Sequence, residues 1–111
     1  MGKTMVWLKG EVKSPPFSAK ARRQVGAVLR LLQDGLTLSM PTSRPMPSVG
    51  PRCHELRITD EHKEWRIIYR IDRDELLVID IFLKKQQRTP KTVADQATKR
   101  LARYDAVVGG T

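Results

Sequence analysis

The residues best placed to do chemistry in this 111-residue chain are cations spaced along what read as β-strands. Arg57 sits in HELRI, Arg66 and Arg70 in WRIIYR, and the pair Lys84-Lys85 ends IFLKK. Each arginine alternates with apolar neighbours, so it projects to a defined side of its strand. A charge held on a strand is positioned more accurately than one on a loop, and the planar guanidinium fork can bind two phosphate oxygens at once. Taken singly, each cation has a plainer reading as a solvated charge or an ion pair with Glu55, Glu64 or Asp80. Taken together, phosphate binding accounts for several of them. Other chemistries find no support. Cys53 and His54 are adjacent, and neighbours on a strand point to opposite faces, so they make a poor nucleophile–base pair. His54, His62 and Cys53 have no metal-ligand spacing. Neither a P-loop nor a dinucleotide glycine fingerprint occurs. The acids fall mainly at loops, and Asp80, the one acid deep in a strand, has no evident carboxylate partner, which argues against paired-carboxylate and two-metal sites. No metal or cofactor is expected.

Metal-free RNA cleavage suits such a set. The ribose 2′-hydroxyl is itself the nucleophile, so the protein must align the attack, accept the 2′ proton, neutralise the phosphorane and protonate the leaving 5′-oxygen. Arginine and lysine supply the charge, usually the largest catalytic term, and an acid or base adds about 10²–10⁴-fold. Trp65 and Tyr69 lie on the more apolar side of their strand and read as core rather than as stacking platforms. His54 reads as a packed histidine whose near-neutral titration leaves it open as a proton carrier.

The elements that position these residues follow from pattern. Met5–Leu8 is a short apolar strand, broken by Lys13-Ser14-Pro15-Pro16. Ser18 is placed to cap a helix whose apolar face is Ala21, Val25, Val28, Leu29 and Leu32, with Gly35 as its stop. Leu36–Met40 reads as a short turn or helix. Pro41–Pro51, with four prolines, reads as a loop carrying Arg44 and Arg52. Three strands follow: Cys53–Ile58, Trp65–Ile71 and the nearly all-apolar Leu76–Leu83, which reads as a central strand covered on both faces. Antiparallel pairing of these neighbours is the simplest arrangement. Thr89 as cap and Pro90 at the first position start a last helix, lined by Val93, Ala97, Leu101 and Tyr104, with a frayed tail from Ala106. The fold expected is therefore one α+β domain over residues 1–111: a small, mainly antiparallel sheet with the long helix against one face.

Composition agrees. Twenty-one Lys and Arg oppose 12 Asp and Glu, for a formal charge of +9. Between Val12 and Cys53 the only acid is Asp34, and from Lys84 to Arg103 seven bases face only Asp95. Such segregation points to a polyanion without separating DNA from RNA. The single Cys53 excludes an internal disulfide. The start, MGKTMVWLKGEVK, lacks the apolar stretch of a signal peptide, and no run approaches the ~20 apolar residues of a membrane span. A soluble cytoplasmic protein is expected.

The order of several pieces is more specific than any one: Val6-Trp7-Leu8, MPTSRPMPSVG from Met40, HELRI from His54, WRIIYR from Trp65, FLKK from Phe82 and TPKTVADQATKRLARY from Thr89. Together they resemble the phage-derived HigB-like branch of the RelE/ParE toxin superfamily, the toxins of type II toxin–antitoxin pairs. The resemblance covers nearly the whole chain. It implies ribosome-dependent cleavage of mRNA in the decoding site, without a metal, and hence inhibition of translation. It implies a small helix-turn-helix, HigA-like antitoxin as partner, with promoter DNA reached only through that antitoxin. By position it makes Arg66 the contact to the scissile phosphate, Arg57 a basic strand residue, and Lys85, in the Lys84-Lys85 pair, the aid to the leaving group. RelE-type lysines that precede the LR pair are replaced here by Cys53 and Glu55, which leaves His54 and Tyr69 as candidates for the base. Docking on RNA falls to Lys20, Arg22, Arg23, Arg44, Arg52, Arg70, Lys99, Arg100 and Arg103. Two other functions share the fold or the charge: a ParE-like toxin that poisons gyrase, and a non-catalytic nucleic-acid-binding regulator.

Overall fold

The computed structural model describes all residues except Met1, Glu11, Lys13, Ser14, Pro15, Gln86, Gln87, Gly110 and Thr111. Its elements are β1 (Thr4–Trp7), α1 (Ala19–Gln33), β2 (Ser43–Pro45), β3 (Cys53–Asp60), β4 (Lys63–Ile71), β5 (Glu75–Leu83) and α2 (Lys91–Val108). The five strands form one sheet in the order β1-β5-β4-β3-β2. Strands β2 to β5 pair antiparallel, and β1 joins β5 in parallel. The α+β class with a mainly antiparallel sheet is as the sequence predicts.

Helix α1 begins where expected. The Ser18 hydroxyl accepts from the Ala21 amide at 3.1 Å, and the Ser18 amide donates to Asp60 Oδ2 at 2.8 Å, which ties the helix start to the end of β3. Buried Ala21, Val25, Leu29 and Leu32 face the sheet. Burying Val25, Leu29 and Leu32 contributes roughly 1.5–3 kcal/mol each, enough to outweigh the ~1 kcal/mol that Gly26 costs inside a helix. The chain leaves the helix through Gly35, whose φ of +94° favours glycine. Under α1 lie Leu56, Ile58, Trp65, Ile67, Tyr69, Leu76 and Val78, with Phe17 against Trp65.

The two helices lie on opposite faces of the sheet, so β5 is covered on both faces, as its nearly all-apolar run predicts. Helix α2 packs Ala97 and Leu101 on the opposite side of the sheet, against Cys53, Ile68, Leu77 and Ile79. The proline-rich segment is not all loop, because Ser43–Pro45 adds an edge strand in register with Leu56, Glu55 and His54; Pro45 is tolerated because the outer edge needs no donor. The turn after β3 shrinks to Glu61-His62, with Glu61 at φ 57°, so that Arg57 lands directly opposite Arg66. Smaller differences complete the picture. Leu36–Met40 is irregular chain that enters a turn at Met40 and forms no helix, Thr89 does not cap α2, and the last helix runs to Val108 rather than fraying at Ala106.

Candidate active site

On the α2 side of the sheet, strand alternation brings Arg44 of β2, Glu55 and Arg57 of β3, and Arg66 of β4 side by side. Phe82, Lys84 and Thr89 complete a narrow crevice. Four cations and one carboxylate line it. That carboxylate, Glu55, is 1% exposed. It accepts from Arg44 Nε at 3.0 Å and from the Thr89 hydroxyl at 2.5 Å, and faces Arg66 Nε at 3.7 Å. Glu55 thus orients two guanidinium groups and fastens the segment that leads into α2.

The arginines are incompletely neutralised. Arg66 is 4% exposed; its Nη1 donates to the Trp65 carbonyl at 2.9 Å, and its Nη2 is 3.9 Å from Glu64. Burial lowers its affinity for the proton. Glu55 opposes that shift and the charge of Arg57 adds to it. Arg57 Nε is buried and has no hydrogen-bond partner among the described residues. Like charges directly opposed across a strand pair are destabilising, so this site holds two arginines together against their repulsion. An anion with several oxygens would satisfy both. The start of α2 lies beside the crevice, with no acid in its first turn and no side-chain cap, so its dipole adds positive potential there.

Arg70, two pleats along β4 from Arg66, has the opposite environment. It bonds Asp72 through Nε and Nη2, and Asp105 of α2 through Nη1 and Nη2, all at 2.8–2.9 Å. Asp105 is the chief reason that its proton is held more tightly than usual. Arg70 is therefore committed to fastening α2. Arg100 is likewise engaged, 3.4 Å from Asp80 and donating to the Ile79 carbonyl at 3.2 Å. A bulge in β5 sets Ile79 and Asp80 both toward α2, so the acid that lacked a carboxylate partner has a cationic one.

The two candidates for the base lie elsewhere. Tyr69 is buried under α1, its hydroxyl 2.6 Å from Ser43 Oγ, and burial raises its pKa. His54 stacks on Tyr69 with ring centroids 5.3 Å apart, and its Nδ1 lies 3.2 Å from the Arg52 carbonyl oxygen. Both are across the sheet from the crevice. Lys84 lines the crevice whereas Lys85 is exposed beyond it. Of the docking candidates, Arg44 belongs to the crevice. Arg52 is exposed at the far end of β3, 3.4 Å from Asp72. Lys99 and Arg103 are exposed on α2, and Lys20, Arg22 and Arg23 are exposed on α1, on the other side of the sheet. Glu55 and Thr89 are the site residues that sequence reasoning missed. The alternation Glu55–Arg57 put both side chains on one face, a readable signal; nothing in the sequence marked Thr89 beyond its capping chemistry.

Among the described residues no group of three or more His, Cys, Asp or Glu could hold a metal, and no helix is long and apolar enough to cross a membrane. No curated protein matches the chain significantly. Residues 16–102, which include every residue lining the crevice, match the profile of the phage-derived Gp49-like proteins (DUF891). The chain thus belongs to the phage-derived Gp49-like family.

Proposed function

We propose that this protein is the toxin of a type II toxin–antitoxin pair, of the RelE/HigB-like kind, and that it cleaves mRNA on the ribosome through the ribose 2′-hydroxyl. One observation carries the reading: Arg57 and Arg66 are held opposite each other on adjacent strands, with Arg44 and Lys84 alongside and a single buried carboxylate among them. Membership in a phage-derived family supports it.

The 2′-oxygen attacks phosphorus while the P–O5′ bond breaks, leaving a 2′,3′-cyclic phosphate and a 5′-hydroxyl. Arg57 and Arg66 bind the non-bridging oxygens as negative charge builds on the phosphorane; losing one such preorganised donor typically costs 10²–10³-fold in rate. Glu55 is the only carboxylate lining the crevice among the described residues. It takes the 2′ proton, directly or through the Thr89 hydroxyl bonded to it, and Lys84 gives a proton to the departing 5′-oxygen. The partner in this reading is a small helix-turn-helix antitoxin that covers the crevice.

Expression of wild type, Arg57→Ala and Arg66→Ala from a tight promoter, with mapping of mRNA ends and measurement of translation, tests the proposal. Wild type should arrest growth and fragment mRNA within reading frames, and the variants should do neither. Arrest with intact mRNA would contradict it, and arrest with a DNA-damage response would instead support a gyrase poison.

A further inference from the structure

Among the described residues Phe82 is the one aromatic side chain lining the crevice, in a wall otherwise made of four cations, a carboxylate and a threonine. Register fixes its place. Arg57 pairs with Arg66 across β3 and β4, and Arg66 pairs with Phe82 across β4 and β5. The three side chains therefore form a row on one face of the sheet, at about 4.8 Å per step. The other large aromatic residues are engaged elsewhere. Phe17, Trp65 and Tyr69 are buried under α1, Trp7 lies on the edge strand β1, and the Tyr104 hydroxyl donates to Glu75 at 2.8 Å. Phe82 is only partly buried: it packs against the apolar cluster under α2 and also borders the crevice. A bare phosphate gains nothing from such a ring, whereas the nucleotide that carries the phosphate brings a flat base.

We propose that Phe82 is a stacking platform for a base, and that this base belongs to the nucleotide on the 3′ side of the scissile bond. The platform presupposes the scissile phosphate of the proposed function and adds a demand on the substrate: it must be single-stranded at the cut, with that base turned out of its stack. Bases inside a duplex stack on one another and leave no face for a side chain, whereas splayed single strands stack on aromatic residues. Such stacking accepts any base, because every base has a π-face. Strand geometry sets the side. Lys84 follows Phe82 by two residues, just past the end of β5, and lines the same crevice. In the proposed reaction Lys84 protonates the departing 5′-oxygen, which belongs to the 3′ nucleotide. The β5 side of the crevice is therefore the side of the leaving nucleoside, and Glu55 with Thr89 serves the 2′-hydroxyl of the nucleotide before it. With a phosphate between Arg57 and Arg66, the ring stands one further step along the row and holds the leaving nucleoside in line for displacement.

The test uses the full chain, mRNA bound to purified ribosomes, and the variants Phe82→Leu and Phe82→Tyr. The nucleotide 3′ of the cut is either normal or abasic. On normal RNA, Phe82→Leu should raise the protein concentration for half-maximal single-turnover cutting by about tenfold or more, and Phe82→Tyr, which keeps the ring, should stay within about threefold of wild type. On the abasic RNA wild type should fall to the level of Phe82→Leu, and the variant should lose little more. An abasic nucleotide on the 5′ side of the cut should leave the effect of Phe82→Leu unchanged. An equal penalty for Phe82→Leu on normal and 3′-abasic RNA would overturn the proposal and leave Phe82 a packing residue; so would undiminished cutting by Phe82→Leu. A second probe separates the platform from the chemistry. A short single-stranded DNA with 2-aminopurine at its centre has no 2′-hydroxyl to attack, and its fluorescence falls when the reporter base stacks. Wild type and Phe82→Tyr should quench it and Phe82→Leu should not. Ring-dependent quenching by a protein that cuts no mRNA would overturn the proposed function and leave the platform standing. Cutting of mRNA with no ring-dependent quenching would overturn the platform and leave the proposed function standing.

Discussion

Arg66 and Arg70 lie on the same strand and the same sheet face, and both are almost fully buried. They nevertheless have opposite surroundings. Arg70 meets two carboxylates in short, multiply bonded pairs, and its proton is held more tightly than usual. Arg66 shares Glu55 with Arg44, has only a long 3.9 Å contact to the exposed end of Glu64, faces another cation across the strand pair, and holds its proton less tightly. The count of basic residues, which marked both arginines, therefore does not locate a site; local neutralisation does. A buried cation with its full complement of acids is a fastening. One with too few is waiting for an anion.

Arg66→Ala should reduce mRNA cleavage by 10²–10³-fold or more while changing stability by less than about 1 kcal/mol, since Glu55 keeps Arg44 and Thr89. Steady-state cleavage beside chemical denaturation checks both halves. Arg70→Met should do the reverse. It should lower stability by about 2 kcal/mol, less than the 3–5 kcal/mol of a fully buried broken pair, because Asp105 is half exposed and can rehydrate. Cleavage per folded molecule should persist. Glu55→Gln should fall between, with a loss of about 1 kcal/mol that added sulfate restores, because an anion can replace the missing charge; sulfate should not rescue Arg70→Met. The smallest effect concerns acid. The Arg70 hydrogen bonds hold Asp105 below its ordinary carboxylate value of 3.8. The folded state therefore binds this proton less readily than the unfolded state does. That stabilisation is present above the ordinary value and fades as pH falls through the lower, folded one. Asp105→Asn should flatten the decline of Tm between pH 5 and pH 2.5, read by calorimetry.

Much of this arrangement was legible in the chain. Ser18, the 3.6-residue spacing from Ala21 to Leu32, and Gly35 define α1 because local chemistry alone sets them. The alternation in Trp65–Ile71 placed Tyr69 on the apolar side, away from Arg66 and Arg70, and so held the information that removes Tyr69 from the crevice. What was hidden depends on geometry that no residue type announces. A glutamate at positive φ makes the tight turn that opposes Arg57 and Arg66, and glutamate is not a turn signal of that kind. Strand β2 hides in a proline-rich segment because it pairs on one side only. The bulge in β5 moves Asp80 toward α2, which simple alternation would have sent to the other face. Charge patterning marked Arg66 and Arg70 alike, because the acids that distinguish them come from other segments: Glu55 from β3 and Asp105 from α2. The resemblance to toxins agrees with the phage-derived family in its lineage; ribosome dependence and cleavage belong to the proposal.

In the proposed reaction an under-neutralised arginine pair assists attack by the mRNA's own 2′-hydroxyl. The most direct measurement is single-turnover cleavage of an end-labelled mRNA bound to purified ribosomes, with the chemistry of both new ends determined, for wild type and for Arg57→Ala and Arg66→Ala. Wild type should leave a 2′,3′-cyclic phosphate and a 5′-hydroxyl, and each variant should cut at a rate at least 100-fold lower. Intact mRNA with wild type, a 3′-hydroxyl with a 5′-phosphate at the new ends, or undiminished cutting by the variants would contradict it.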